Sequence, residues 1–140
     1  MPTYPISPSH KTSGLVYFAR LIDKIRLKEA GKLGDDYIPL LGGGFDGRCC
    51  KFLGVSYQEI VERTKTGEAN EAILEWCFSK GHRPDADEIL IWNKFMIKRG
   101  WRDEDEGATQ RLEEMKIAAG LKERSDIVTF FDLIDADEKR

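Results

Sequence analysis

The 140 residues suffice for one domain, because a chain of this length buries about 68–70% of its unfolded surface. Hydrophobic residues make up 41% and charged residues 34%, a balance that excludes a disordered chain, and no apolar run approaches the roughly 20 residues of a membrane span. The net charge is −3: residues 1–70 hold ten Lys and Arg against eight Asp and Glu, and residues 71–140 hold twelve against seventeen. This acidic balance argues against nucleic-acid binding.

The number of cysteines indicates in which cellular compartment the protein is expected. Cys49, Cys50 and Cys77 are an odd number in a sequence without a signal-like apolar segment, which favours a reducing cytoplasm over a disulfide framework. Cys49 and Cys50 are adjacent, so on a helix their side chains diverge by about 100° and cannot readily share a metal ion. We therefore expect buried structural thiols, no metal and no cofactor.

The N-terminal segment differs from the rest. Residues 1–13 contain three prolines before any periodic pattern begins, which predicts an extended or flexible arm. Apolar residues then recur every three or four positions from Leu15 to Ile25, with Ser13 as a candidate N-cap and Gly31 just past the end. This pattern predicts a basic helix of about 17 residues. Our first interpretation is that the cations of this helix pair with acidic residues in the second half of the chain, and the second is that they bind an anionic ligand.

Two short helices are predicted next. Asp46 is a candidate N-cap for a helix that continues through Leu53 and ends at Gly54. Ser56 and Glu59 have the spacing of a capping box, which predicts a helix that begins there and ends near Thr66.

The middle of the chain predicts two longer helices. The first covers residues 69–80, with Ile73 and Cys77 on its apolar face, and stops at Gly81. The second begins at Asp85 or Asp87, stacks its apolar residues three and four apart, and ends at Gly100.

The C-terminal third continues the helical period. Leu112, Met115 and Ala119 predict a helix ending at Gly120, and the spacing in residues 127–134 predicts a last helix, with a strand as the second choice. We expect the acidic residues 132–138 to form a solvated terminus. The pattern as a whole predicts an all-α, compact single-domain bundle of about six or seven helices over residues 14–140, with an irregular N-terminal arm at 1–13.

A glycine-rich stretch, "PLLGGGFDGRCC" at residues 39–50, raises the question of a phosphate loop. Such a loop needs a Lys followed by Ser or Thr after its last glycine, and a strand before it. Both are missing, so the stretch favours a flexible turn that leads into a helix.

The best candidate site combines the polar face of the first helix with two aromatic positions. Arg20, Asp23 and Lys24 share that face, and exposed ion pairs of about 0.2–0.5 kcal/mol hardly explain their presence. A solvated face remains the simpler interpretation. Trp92 and Trp101 are typical of a core, but Trp101 follows a glycine stop and lies between two arginines, where it should be near the surface.

Five segments together resemble a known family: "LVYFARLIDKIRLKEAGKLGDDY", "FLGVSYQEIVE", "ILEWCFSKG", "EILIWNKFMIKRGW" and "DIVTFFDLIDADE". The chain is similar to the uncharacterised bacterial family called domain of unknown function 5069, over nearly the whole sequence beyond the arm. The resemblance implies a small, soluble, mainly helical bacterial protein and supplies no reaction, cofactor or catalytic residue. "GGGFDGRCC" departs from the family pattern. The family motifs include two sets of polar and aromatic residues: Arg20, Asp23, Lys24 and Arg26, and later Trp92, Asn93 and Trp101.

We therefore expect a cytoplasmic binding or interaction protein, with a site for a small anionic ligand or a protein partner between the first helix and the Trp92–Trp101 segment. The alternative is a small enzyme that uses Asp23 as acid or base, or a thiol of Cys49 or Cys50 as nucleophile. A homodimer is left open, and no membrane partner is expected. The expected site residues are Arg20, Asp23, Lys24, Trp92, Asn93, Arg99 and Trp101.

Overall fold

The computed structural model describes residues 3–140 and confirms the all-α class. Across that range the chain forms seven α-helices, one hairpin of two-residue strands and two short 3-10 helices, Asp35–Leu40 and Glu104–Glu106. The elements are β1 (Lys11–Thr12), β2 (Leu15–Val16), α1 (Phe18–Glu29), α2 (Gly44–Leu53), α3 (Tyr57–Thr64), α4 (Asn70–Lys80), α5 (Ala86–Lys98), α6 (Ala108–Ala118) and α7 (Phe130–Asp137). Within residues 3–140, a helix with the length and apolarity to cross a membrane is absent.

The start of the first helix was predicted wrongly. Leu15 and Val16 pair with Thr12 and Lys11 in an antiparallel hairpin, so α1 begins at Phe18 and has 12 residues. Ser13 is not an N-cap: it and Gly14 have positive φ angles of 49° and 83°, as the central residues of a type I′ hairpin turn require. The apolar residues before Phe18 fit a helical period and a hairpin equally well.

The N-terminal arm is irregular over residues 3–10 and packs against α1. The backbone N–H of Ile6 donates to Asp23, and its carbonyl accepts a hydrogen bond from Arg20. Arg140 at the other end of the chain donates to the carbonyl of Pro5. The arm thus lies beside the polar face of the first helix.

Helix ends at Ser56, Gly54 and Asp85 were predicted correctly, unlike the N-caps at Ser13 and Asp46. Ser56 and Glu59 form both hydrogen bonds of a capping box at the start of α3, and α2 ends at Gly54 with a left-handed φ of 70°. Asp85 and Glu88 form a second capping box at the start of α5. At these three helix ends the contacts lie within four residues and tertiary packing leaves them in place.

Three details of the helices differ from expectation. The N-cap of α2 is Gly43, and Asp46 lies inside the first turn with its side chain buried. In α6, Met115 is 46% exposed, and Lys116 takes the buried position beside Leu112. The last segment is helical, as predicted, but α7 starts at Phe130 behind a Thr129 cap.

The core has two parts that share one side chain. The main cluster surrounds α1 and takes residues from the hairpin, from α2 to α5 and, with Phe131, from α7. A smaller cluster lies between α6 and α7. Phe45, at the start of α2, packs against both. The turn between α4 and α5 is pressed against the end of α2, since a Cβ added at Gly81 would overlap the carbonyl oxygen of Leu53.

Candidate functional site

A cavity of about 460 Å³ opens between α1, the 3-10 helix Asp35–Leu40, the start of α2, α6 and α7. Its polar floor and rim are formed by Tyr17, Arg20, Lys24, Asp36, Tyr37, Asp137 and Glu138. Its other walls are mainly apolar and include Leu40, Phe45, Met115, Phe130, Leu133 and Ile134. We refer to it as the α1–α7 cavity.

A buried ion pair forms one side of the floor. Arg20 donates from Nη1 and Nη2 to the two carboxylate oxygens of Glu138, at 2.9 and 2.7 Å. Glu138 also accepts from the Tyr37 hydroxyl at 2.6 Å and from Arg140 at 2.6 Å. Burial raises the pKa of Glu138, but the hydrogen bonds from Arg20, Tyr37 and Arg140 outweigh it and hold the pKa below its ordinary value. Each oxygen of Glu138 therefore has two donors.

A second buried network, of Tyr17, Lys24 and Asp46, forms the other side of the floor. The Tyr17 hydroxyl donates to Asp46 Oδ1 at 2.5 Å, and Lys24 Nζ lies 2.7 Å from the same oxygen and donates to the hydroxyl at 3.1 Å. Asp46 Oδ2 accepts from the N–H of Gly42. Burial, together with Asp46, raises the pKa of Tyr17, and burial lowers the pKa of Lys24 despite Asp46. Tyr17 is thus a neutral hydroxyl at physiological pH.

The backbone of Tyr17 is strained. Its φ of 77° with ψ of −34° is rare for a residue with a side chain and costs on the order of 1–3 kcal/mol. The N–H of Tyr17 donates to the carbonyl of Pro8, and the ring packs against Phe45 and Phe131 at centroid distances of 5.7 and 6.3 Å. These contacts hold the hydroxyl at the cavity floor, so the surroundings maintain the strained conformation.

The glycine-rich stretch forms a wall of the same cavity. As predicted, it is a turn that leads into a helix: Gly43 is the N-cap of α2, and both Gly43 and Gly44 line the α1–α7 cavity. No side chain among residues 3–140 caps this helix start. The first N–H groups of a helix have no partner within it and carry partial positive charge. Hydrogen-bond donors are therefore available at the cavity wall.

The structure places the predicted residues of α1 in three different settings. Arg20 and Lys24 line the cavity, but each is buried and paired with a carboxylate. Asp23 accepts the N–H of Ile6 and so holds the arm. Arg26, another residue of the first motif, donates to Asn70 at 2.6 Å and joins α1 to the start of α4. The solvated-face interpretation is therefore wrong for Arg20 and Lys24.

The predicted residues of α5 hold the hairpin. Trp92 donates from its indole to the carbonyl of Val16 at 3.1 Å, and Asn93 accepts from the N–H of Val16 and donates to the carbonyl of Gly14. Trp92 is buried and its ring stacks on Phe52 at 4.6 Å. These contacts give Trp92 and Asn93 a role in fixing the hairpin.

Arg99 and Trp101 lie at the C-terminal end of α5. Arg99 is buried, with its Nη1 atom 3.5 Å from Asp103 Oδ2, and Trp101 is 50% exposed, as expected after a glycine stop. Neither they nor Trp92 and Asn93 line the α1–α7 cavity, whereas Arg20 and Lys24 do. The structure therefore does not bring the two predicted halves of the site together in this cavity.

The three thiols are buried and unpaired, as predicted. Burial is the main cause that raises the pKa of Cys50 to about 11 and that of Cys77 to about 12, and it also raises the pKa of Cys49. A thiolate nucleophile requires the opposite direction. The environment therefore disfavours a cysteine nucleophile, and residues 3–140 contain no cluster of three or more metal-ligand side chains.

Two residues of the cavity, Tyr37 and Glu138, were missed, and so was Asp46, a buried partner of Tyr17 and Lys24 that does not itself line the cavity. Glu138 lies 101 positions from Tyr37 and 118 from Arg20, and Asp46 lies 29 positions from Tyr17, so spacing along the chain could not pair them. The expectation of a solvated acidic terminus is wrong for Glu138, because Arg20, Tyr37 and Arg140 surround its carboxylate. The one available signal was a basic first helix in a chain whose second half is acidic.

The family model described as "Domain of unknown function (DUF5069)" matches residues 2–140. The chain belongs to the DUF5069 family. Among curated proteins, no significant match to this DUF5069 chain was found.

Proposed function

We propose that this protein is a bacterial cytoplasmic binding protein, whose α1–α7 cavity holds a small apolar molecule ending in a carboxylate. The single observation that carries the proposal is the cavity of about 460 Å³ above the buried Tyr17–Lys24–Asp46 network. Its volume falls in the range of small-molecule sites, about 300–1,000 Å³. The unpaired cysteines fit the reducing cytoplasm.

Hydrogen-bond capacity at the floor favours a ligand that accepts hydrogen bonds. Both oxygens of Glu138 have two donors, and Asp46 has three donors in all. Lys24 has three N–H groups but only Asp46 and Tyr17 as partners among the described residues. The uncapped N–H groups at the start of α2 add further donors. At the cavity floor, hydrogen-bond donors therefore remain available to a ligand, whereas most acceptors already have partners.

The charge at the floor favours a single negative charge. Arg20 and Lys24 are each paired with a carboxylate. Arg140, the second cation on Glu138, also lies 3.5 Å from Asp135, so the networks are close to neutral and contribute little net attraction. The start of α2 contributes roughly half a positive charge. Asp36 and Asp137 at the rim oppose a polyanion such as a di- or triphosphate. A carboxylate, with its single negative charge, matches the partial positive charge of the helix start without the repulsion that a polyanion would meet at the rim.

The walls favour an apolar body. Phe45 and Phe130 contact edge to face at 6.0 Å between centroids, and Leu133, Ile134 and Met115 complete the apolar side of the cavity. Burying apolar ligand surface there contributes about 25 cal/mol per Å² before the cost of association. A straight or branched hydrocarbon of moderate length meets these requirements.

The experiment compares three probes that share a ten-carbon chain and differ in their polar head group: decanoate, decylamine and decanol. Each is titrated into the isotope-labelled protein while backbone amide resonances are recorded. We expect saturable binding of decanoate, with the largest shifts at Gly43, Gly44 and Phe45, and at least about tenfold weaker binding of decylamine. Equal or tighter binding of decylamine, or no saturable binding of decanoate, would overturn the proposal.

A matched pair of variants locates the binding. Met115→Glu places a negative charge on the cavity wall, whereas Ile117→Glu places it on an exposed position of the same helix that does not line the cavity. Both original side chains are exposed, so both variants should fold. Decanoate binding should weaken by about tenfold or more in Met115→Glu and stay unchanged in Ile117→Glu. Equal effects in the two would place the binding elsewhere.

A further inference from the structure

A second concave surface lies between α2 and α5, on residues that do not line the α1–α7 cavity. This groove of about 310 Å³ is lined by Arg48, Lys51, Phe52, Ile91, Trp92 and Phe95. The stacked rings of Phe52 and Trp92 contribute to it, and the Arg48 guanidinium lies 4.9 Å from the centroid of the Phe95 ring. We call it the α2–α5 groove.

The outer face of α5 extends the apolar surface of the groove. Ile91 and Phe95 lie one helical turn apart and are 67% and 37% exposed, whereas Trp92 and Met96 beside them are buried. Single exposed apolar residues are ordinary, but Ile91 and Phe95 lie one turn apart and both line an apolar groove, so together they form one patch. Such patches mark interaction surfaces.

The cations of this surface are unpaired. Arg48 and Lys51 in α2, and Lys94 and Lys98 in α5, form no salt bridge with any described carboxylate. On α5, Lys94 and Lys98 follow Ile91 by three and seven positions, so all three share one face. In a protein with a net charge of −3, these four cations are concentrated on two neighbouring helices.

We propose that the α2–α5 groove binds an acidic amphipathic helix of a partner protein. Apolar side chains at successive turns of that helix would enter the groove between Phe52, Ile91 and Phe95. Its carboxylates would pair with Arg48, Lys51 and the lysines of α5. Helix-in-groove binding uses this division between apolar anchors and flanking charge.

The charge pattern disfavours a second copy of this chain as the occupant. A symmetric dimer brings the same patch of both protomers together, so Arg48 and Lys51 would face an equally basic surface. Like charges placed together across an interface cost several kcal/mol, about enough to prevent a stable contact. The concave shape of the groove also fits a side chain better than a flat bilayer surface.

The test selects helix-forming peptides from a displayed library against the wild-type protein, with Ile91→Glu as the counter-selection target. Ile91 is exposed, so this variant should fold, which a circular-dichroism spectrum checks. We expect enriched peptides to carry large apolar residues three and four positions apart, flanked by Asp and Glu. Enrichment without acidic residues, or no enrichment, would overturn the proposal.

Binding of one enriched peptide then identifies the contacts. Arg48→Glu and Lys51→Glu should each weaken it by about tenfold, and added salt should weaken wild-type binding. The matched control is Lys122→Glu, an exposed cation outside the groove, which should leave the affinity unchanged. Equal weakening by Lys122→Glu would show net charge alone to be responsible and would contradict the proposal.

Two further measurements separate the other occupants. Sedimentation equilibrium should show a monomer, and co-sedimentation should show no preference for phosphatidylserine vesicles over phosphatidylcholine vesicles. A dimer or a vesicle interaction that Ile91→Glu abolishes would assign the groove to that occupant and reject the acidic helix.

Discussion

Arg20 and Glu138, 118 positions apart in the chain, form a buried ion pair with two parallel hydrogen bonds. The pair joins the first helix of the bundle to the residue that ends the last. Tyr37 and Arg140 donate to the same carboxylate, so one group connects α1, the 3-10 helix Asp35–Leu40 and the C-terminus. This carboxylate sets the shape of the α1–α7 cavity on one side.

Glu138→Gln should lower the free energy of unfolding by about 3–5 kcal/mol, because it leaves the buried Arg20 guanidinium without a counter-charge. The measurement is urea unfolding followed by circular dichroism. The control is Glu123→Gln, which removes an exposed carboxylate that has no salt bridge within the described residues. A decrease in the free energy of unfolding of less than about 1 kcal/mol would mean that the Arg20–Glu138 ion pair contributes no more than a solvent-exposed one.

The same ion pair predicts a pH dependence of stability. The pKa of Glu138 is lower in the folded protein than its ordinary value of 4.5, so the unfolded chain takes up the proton first as the pH falls. The stabilisation by Glu138 is therefore complete above about pH 6 and declines as the pH falls below 4.5 towards the folded pKa. Unfolding curves of wild type and Glu138→Gln from neutral to acidic pH should converge. A constant difference in unfolding free energy would contradict this assignment.

The sequence predicted the helices more accurately than it predicted the site. Caps at Ser56, Gly54 and Asp85 depend on contacts within a few residues, and all three were found where expected. The first helix was misplaced because Leu15 and Val16 satisfy a helical period while pairing in a hairpin. Ser13 and Gly14 adopt the positive φ angles of the hairpin turn, so the chain turns back before the helix begins.

The site depends on long-range contacts that no local pattern reveals. Arg20 and Lys24 were identified as unusual polar residues, and both line the cavity. Their partners could not be identified, because Glu138 lies at the other end of the chain and Asp46 was assigned only a capping role. Trp92 was paired with them on chemical grounds, yet its indole is committed to the carbonyl of Val16. The residue types of Arg20 and Lys24 showed that they were candidates for a site, whereas tertiary packing determined which residues they pair with.

The three cysteines should react slowly with an aromatic disulfide reagent in the folded protein. The pKa of Cys50 is raised to about 11 and that of Cys77 to about 12, so almost no thiolate exists at neutral pH, and burial also blocks access. The measurement follows reagent absorbance at neutral pH with and without urea, where all three thiols should react only after unfolding. A fast phase in the folded protein, near the rate of free cysteine, would contradict this result and revive a thiol mechanism.

Tyr37→Phe should loosen the 3-10 helix Asp35–Leu40, which buries no side chain of its own. The Tyr37 hydroxyl donates to Glu138, and the loss of this hydrogen bond should cost about 1 kcal/mol of local stability. Hydrogen exchange of the Leu41 amide, which donates to Ile38, should therefore accelerate about fivefold. The control is Tyr57→Phe, because the Tyr57 hydroxyl has no hydrogen-bond partner among residues 3–140. Equal acceleration in both variants, or none in Tyr37→Phe, would mean that packing alone holds this wall of the cavity.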